Sequence, residues 1–413
     1  MRVKKRTAFV ALGSLVAALT LVAAGCGGGD DGGKTLKIVS DLPLQGSNLV
    51  QTGQMVEAMK YVLEQAGGKA GDYTVEYESV DDAIASTGSW DEATCASNAR
   101  RYADDESIVI NIGTYNSGCA AIEIPILNEA NLAMVSPANT YAGLTHDAPG
   151  TEAGEPDKYF PSGTRNYARV VTSDDFQGTA GAVFMKNELG VTKVFILDDK
   201  QLYGKGVADA FENAAEVAGL EVVGHEGWDK DAPNYTALMT KIKATGADGI
   251  YIGGLEDQNG SQLVKDKVAV VGDNEAVKLV MADGMVTSAL ITNAGADNAE
   301  GAYGTAPTLP ADQLTGAGAD FLTGFQEQIG ADKAIEVYTI YAAAAMQVAL
   351  DAIARSDGTR EDIVVKLFET DLSDSLVGPL SFNADGDPAA GTEQLFLFTD
   401  GKIVWQKGLE TRQ

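Results

Sequence analysis

Few residues in this 413-residue chain have the types and spacing that chemistry demands. Its two histidines, His146 and His225, fall on different expected segments, and neither an HExxH nor a CxxC pattern occurs, so the spacing predicts no metal site. Asn383 to Asp387 reads NADGD, which superficially suggests a calcium loop. Pro388 stands where that loop needs glycine and Gln394 fills its last ligand position, so the stretch reads as a turn. Neither Gly67-Gly68 nor Gly253-Gly254 makes a phosphate-binding fingerprint, and no Ser-His-Asp or Cys-His arrangement is suggested. These readings point away from an enzyme and from a bound cofactor. What remains is a set of hydroxyls and one carboxylate in turns. Ser117 sits between an expected strand and helix, and Thr140 follows the next strand. Their hydroxyls and the neighbouring amides suit a carboxylate, helped by a helix N-terminus; the same residues also serve ordinary turns and caps. Asp283, in MADGM, is either a ligand acid or a turn residue before Gly284.

The elements that must hold these residues begin with a leader. Arg2, Lys4, Lys5 and Arg6 precede an apolar run from Ala8 to Ala24, the pattern of a secretory signal or, on the alternative reading, an uncleaved membrane anchor. The run is short for a spanning helix. It ends in Ala23-Ala24-Gly25-Cys26, which resembles the lipobox of bacterial lipoproteins. The resemblance implies a signal peptide over 1–25, a lipidated Cys26 and an extracytoplasmic protein anchored to the cell membrane. Residues 26–34, with GGGDDGG after the cysteine, read as a flexible tether. With Cys26 acylated, Cys95 and Cys119 remain as an even pair in an oxidising compartment, predicting a disulfide rather than two buried thiols. The formal net charge is −29, and losing the leader's basic residues makes the mature chain more acidic still. That excess disfavours nucleic acid and anionic membrane surfaces as partners.

Beyond the tether, short β-branched runs alternate with amphipathic stretches. Strands are expected at Thr35–Ser40, Tyr73–Val80, Ser107–Ile112 and Leu132–Val135, with helices on the Met55–Leu63 face, at Asp91–Ala103 and at Ala120–Ala130, where Pro125 would kink the helix or lie near its start. A polar Gly/Pro/Asp-rich pause covers Thr145 to Arg165. A second series follows: helices near Phe176–Glu188, Lys205–Ala218, Tyr235–Ala244 and Asp257–Val270, strands at Lys193–Leu197, Leu220–Val223, Gly249–Ile252 and Val277–Met281. An Ala-rich helix, Glu336–Arg355, and a strand-rich tail, Gly378–Leu409, close the chain. The pattern predicts an α/β protein with two doubly wound, largely parallel lobes and a cleft between them.

Ile108 to Thr145 reads IVINIGTYNSGCAAIEIPILNEANLAMVSPANTYAGLT. Its Gly113, Ser117, Pro125–Ala130, Ser136-Pro137, Thr140 and Leu144-Thr145 fall in the order seen in the branched-chain amino acid (leucine/isoleucine/valine-type) substrate-binding proteins of ABC transporters. Asp198–Gly206 (DDKQLYGKG) and Gly378-Pro379-Leu380 with Phe382 and Gly386 are similar to two further motifs of that family. The resemblance spans roughly Leu36 to Trp405 and implies a type I periplasmic-binding fold, two Rossmann-like lobes joined by three hinge crossovers. It places lobe 1 at 35–169 plus 306–378, lobe 2 at 170–305 plus 387–413, and the third crossover at 379–386.

The resemblance also assigns roles. Asn116, Ser117 and Thr140, with backbone groups of Ala138 and Asn139, would hold a ligand carboxylate. Asp283 matches the acid for the ammonium, where the family typically has Glu, and Tyr203 matches an aromatic cover. Leu255, beside Glu256, stands where leucine-type proteins carry Tyr, and Gln51 stands near the position of a first-lobe aromatic. A more polar or larger ligand than leucine therefore stays open. The implied role is a monomeric lipoprotein that captures an amino acid or related small polar molecule for an ABC permease. A sensory receptor of the same fold, or a binder of an amide or small aromatic acid, remains the alternative.

Overall fold

The computed structural model describes residues 34–409. The expected signal peptide, Cys26 and most of the tether lie outside the described residues. The first series runs β1 Thr35–Leu42, α1 Leu49–Gln65, β2 Lys69–Ala70, β3 Tyr73–Asp81, α2 Glu92–Asp104, β4 Ile108–Gly113, α3 Ser117–Glu129, β5 Ala133–Ser136 and β6 Tyr167–Arg169. The second runs α4 Asp174–Asn187, β7 Lys193–Asp198, α5 Leu202–Val217, β8 Glu221–Gly227, α6 Thr236–Thr245, β9 Gly249–Gly253, α7 Gly260–Val270, β10 Lys278–Met281, α8 Ser288–Ala294, α9 Ala296–Ala299 and β11 Tyr303–Ala306. The remainder is α10 Ala317–Ile329, α11 Thr339–Arg355, α12 Arg360–Phe368, β12 Asp371–Ser375, β13 Gly378–Ser381, β14 Glu393–Thr399 and β15 Lys402–Leu409.

These elements build two sheets and a small hairpin. The first sheet has the order β2-β3-β1-β4-β5-β6, and the second β15-β14-β11-β10-β9-β7-β8; β12 pairs with β13 alone. Every pair from β3 to β6 is parallel, as is every pair from β11 to β8, while β2, β14 and β15 add antiparallel edges. Strands covered on both faces need apolar side chains throughout, and β4 (IVINIG) is buried at every position. The chain passes from the first sheet to the second after β6. It returns after β11 so that α11 packs on α1, β4 and β5, and β14–β15 rejoin the second sheet. Cys95 of α2 and Cys119 of α3 form a disulfide with the two Cα atoms 5.7 Å apart, tying the helix pair together. Among the described residues, no helix is long and apolar enough to cross a membrane.

The structure departs from the sequence reading at several elements. Helix α3 starts at Ser117, so Pro125 lies inside it rather than near its start. The helix expected from Asp257 begins at Gly260, because Asn259 takes a left-handed conformation (φ 66°) and its amide donates to the carbonyls of Lys230 and Ala232, ending a short 3-10 turn. Strands β2, β6, β11 and β12 and helices α8, α9, α10 and α12 were not expected. Most are short or polar, and β6 offers only three residues to carry a pattern.

Candidate functional site: the interlobe cavity

Parallel strands leave a crevice beyond their carboxyl ends, where the following loops meet. Here the loops after β4, β5, β7, β9 and β10 converge from both sheets on one cavity. It is lined by Trp90, Tyr115, Asn116, Ser117, Gly118, Ala138, Thr140, Gln201, Tyr203, Leu255, Asp283 and Tyr338 and measures about 350 Å³, its mouth included.

The first sheet contributes donors. Ser117 is the first residue of α3, and no side chain caps that helix end. Its early N–H groups therefore lack partners within the helix and carry the positive end of the helix dipole. The Ser117 hydroxyl accepts one long hydrogen bond from the Tyr141 amide (3.4 Å). Both polar atoms of the Asn116 side chain are buried without a protein partner, and the Thr140 hydroxyl faces the buried Asp174 carboxyl. Buried polar groups left unpartnered cost about 1–3 kcal/mol each.

The second sheet contributes the acid. Asp283 follows β10, is buried, and accepts the Tyr203 phenol on Oδ1 and the Tyr338 phenol on Oδ2, each at 2.6 Å. Burial pushes its carboxyl above the ordinary range, and the two phenol donors oppose that rise. Burial and the adjoining Asp283 push both phenols well up, so they stay protonated and act as donors. Tyr203 comes from the start of α5 and Tyr338 from the residue before α11, so the acid is gripped from both sides of the cleft. The Tyr115 hydroxyl accepts from Gln51 (2.6 Å), and its ring meets Tyr338 edge-on with centroids 6.0 Å apart. At the mouth, Asn48 donates to Asp257 across the cleft (2.8 Å).

Seven of the eight ligand residues expected from sequence line this cavity: Asn116, Ser117, Ala138, Thr140, Tyr203, Leu255 and Asp283. Asn139 does not. Its amide donates to the Tyr115 carbonyl (3.0 Å), its side-chain oxygen accepts from Tyr167 (3.2 Å), its N–H donates to Ser136 (2.8 Å) and its carbonyl accepts from Arg169 (3.2 Å). It is a brace between loops. Gln51 also stays off the wall and acts through Tyr115. Trp90, Tyr115, Gly118, Gln201 and Tyr338 were missed. Tyr115 and Gly118 flank the Asn-Ser pair and were within reach of the sequence argument, whereas Trp90 and Tyr338 come from distant segments and left no local signal. A Cβ on Gly118 would stand 2.6 Å from the Trp90 ring, so only glycine lets that ring close the wall.

Behind the site, Arg169 is fully buried and uses four of its five N–H donors. It donates to Asp387 (2.6 Å), to the carbonyls of Asn139 and Tyr141, and to the Thr145 hydroxyl. Asp387 also meets His146 (3.0 Å), and Arg169 with His146 holds its carboxyl well below the ordinary value despite burial. The NADGD stretch is thus a turn whose last aspartate pins the exit of β6, with Asn383 Oδ1 accepting from the Asp385 and Asp387 amides.

A cavity between two parallel-stranded lobes, with donors on one side and a clamped acid on the other, is the arrangement of a solute-receptor type of protein. The family model described as periplasmic binding protein matches residues 35–398, and the chain belongs to that family. It is 27% identical over 366 residues to Leu/Ile/Val-binding protein homolog 3 of Brucella melitensis, covering 87% of this chain and 89% of the relative. A leucine-binding protein from Thermotoga maritima superposes with a TM-score of 0.77 at 23% identity, covering 91% of this chain and 99% of that one. A solute-binding protein of an ABC transporter from R. palustris, in complex with benzoate, superposes with a TM-score of 0.74 at 18% identity, covering 91% and 96%. These structural likenesses establish the type I periplasmic-binding fold.

Proposed function

We propose that this chain is the solute-binding component of an ABC importer, anchored outside the cell through Cys26, and that its cavity takes an amino acid by its two charged ends. It acts as a receptor and not as an enzyme. The carrying observation is the division of labour in the wall: unpartnered Asn116, the Ser117 and Thr140 hydroxyls and an uncapped helix N-terminus on one lobe, Asp283 with its two phenols on the other. Charges entering a closed cleft lose water and must be paired. The first group suits a carboxylate, and the second suits an ammonium, whose arrival would relieve the buried acid. Asp283 is a methylene shorter than the glutamate of the resembling proteins; Tyr338 reaches in from the other lobe to hold it in place. Leu255 and the Tyr115–Gln51 pair shape the remaining volume. The Brucella relative's name and the Thermotoga protein's title support an amino acid of the branched-chain class.

A small aromatic acid is the second reading. The aromatic wall of Trp90, Tyr115, Tyr203 and Tyr338 favours it, as does the benzoate complex of the R. palustris protein. A thermal-shift series on the soluble domain separates the two readings. Under the leading one, an aliphatic amino acid raises the melting temperature with concentration and benzoate does not. Stabilisation by benzoate or 4-hydroxybenzoate alone would transfer the assignment to the second.

A further inference from the structure

On the face of the second lobe, away from the cavity, α5 and β8 bring together a set of ligating side chains. Asp209 and Glu212 lie three residues apart on α5, one face of one helix turn. His225 of β8 points its Nδ1 at both, 2.8 Å from Glu212 Oε2 and 3.9 Å from Asp209 Oδ1. The ligand atoms of the three residues all lie within 4.8 Å of one another. The other ring nitrogen, Nε2, faces Asp198 Oδ2 at 3.2 Å, at the end of β7. The second histidine of the chain differs. Each ring nitrogen of His146 meets a single carboxylate, Nδ1 that of Asp387 at 3.0 Å and Nε2 that of Asp175 at 3.5 Å, and Arg169 already neutralises Asp387.

We propose that Asp209, Glu212 and His225 form a binding site for a divalent transition-metal ion of the zinc type. One imidazole and two carboxylates match the ligand set of such ions, whereas calcium and magnesium want oxygen alone and copper(I) wants sulfur. With the metal on Nδ1, Nε2 would keep its hydrogen and turn it toward Asp198, 3.2 Å away, the carboxylate–histidine–metal arrangement that fixes a ligating ring. Charge favours the same conclusion. Three carboxylates face one lysine, Lys205, which pairs with Asp209. A neutral imidazole with a divalent cation balances that set, while a protonated imidazole leaves it one charge short. The three ligands keep 17%, 28% and 35% of their side chains exposed (His225, Asp209 and Glu212), enough for water to complete the coordination and for the ion to enter. The ion would staple α5 to β8, and α5 is the helix that carries Tyr203 into the ligand cavity. Sequence spacing gave no hint, because Asp209 and His225 meet only once the helix folds back on its strand.

The test is a calorimetric titration of chelator-treated protein with zinc, beside calcium, for the wild type and for His225→Gln, Glu212→Gln and His146→Gln, each checked for an unchanged circular dichroism spectrum. Expected are one zinc per chain, binding at least tenfold tighter than calcium, a loss of tenfold or more in His225→Gln and Glu212→Gln, and no change in His146→Gln. Cobalt(II) should show a visible absorption band in the wild type that His225→Gln lacks. Should His225→Gln fail to fold, the more exposed Glu212→Gln carries the test. Absence of stoichiometric zinc binding, or binding that survives both substitutions, overturns the proposal and leaves His225 as an imidazolium bridging carboxylates. Neither result bears on ligand capture in the cavity.

Discussion

Ser117 and Thr140 differ in what the protein itself asks of them. Ser117 already accepts a long bond from the Tyr141 amide, while the Thr140 hydroxyl faces the buried Asp174 carboxyl. Removing either hydroxyl should leave the fold almost untouched and weaken the ligand. For Ser117→Ala the expected loss is about 1.5–3 kcal/mol, the range for a hydrogen bond to a charged group. Calorimetry on the compound that most raises the melting temperature checks it, and unchanged affinity would remove Ser117 from the site. Asp283 has a second duty, since Tyr203 and Tyr338 both donate to it. Asp283→Asn keeps the shape and removes the charge. The expected outcome is loss of binding for an amino acid, together with a small change in stability, because burial already penalises the ionised acid. Residues of this kind were legible where a motif surrounds them: Asn116, Ser117 and Thr140 sit in one continuous match. Asn139 misled because its type suits a ligand contact as well as a brace, and only the tertiary neighbours Tyr167 and Arg169 decide between the two.

Helix and strand positions follow from periodicity where both faces are covered, and the β4–α3–β5 segment that carries the donors was readable for that reason. Some of the elements that escaped notice, β6 and β11 among them, lie where the chain crosses between the sheets. Strand β6 and the turn before β14 owe their places to the buried Arg169–Asp387 pair, a contact 218 residues apart in sequence. No local pattern announces such a contact. It has a measurable consequence. Hydrogen bonding to Asp175 and then to Asp387 raises His146 from 6.5 to about 9. A protonated ring therefore stabilises the fold fully below about pH 6.5, and the contribution fades as pH rises through about 9. The effect amounts to at most roughly 3 kcal/mol. Urea denaturation between pH 6 and 10 should show this decline in the wild type and a flatter profile in His146→Gln. On the neighbouring helix pair, replacing both Cys95 and Cys119 by Ala should cost about 3 kcal/mol, because the bridge closes a loop with a sequence separation of 24. Chemical denaturation of the double variant against the wild type measures that loss.

At the scale of the whole molecule, the two-lobe plan was legible from the alternation of strands and helices and from the spread of family motifs along the chain. What the alternation does not carry is how far the lobes are closed. Here they meet through the Asn48–Asp257 contact at the mouth and through the Tyr338 grip on Asp283. Asn48 is not itself part of the cavity wall. Asn48→Ala should nevertheless lower ligand affinity several-fold, about 1 kcal/mol, through a less stable closed form and faster release; stopped-flow dissociation measures it.

The central claim is that one small zwitterion is held by both ends across the cleft. The most direct measurement is a set of calorimetric titrations of the soluble domain with leucine, with its deaminated and its decarboxylated analogues, and with benzoate, repeated on Asp283→Asn. The account predicts that leucine or a close amino acid binds the wild type, that each half-molecule binds far more weakly, and that Asp283→Asn abolishes the amino acid signal. Equal binding of an acid without an amine to wild type and Asp283→Asn, with no amino acid bound by either, would contradict it.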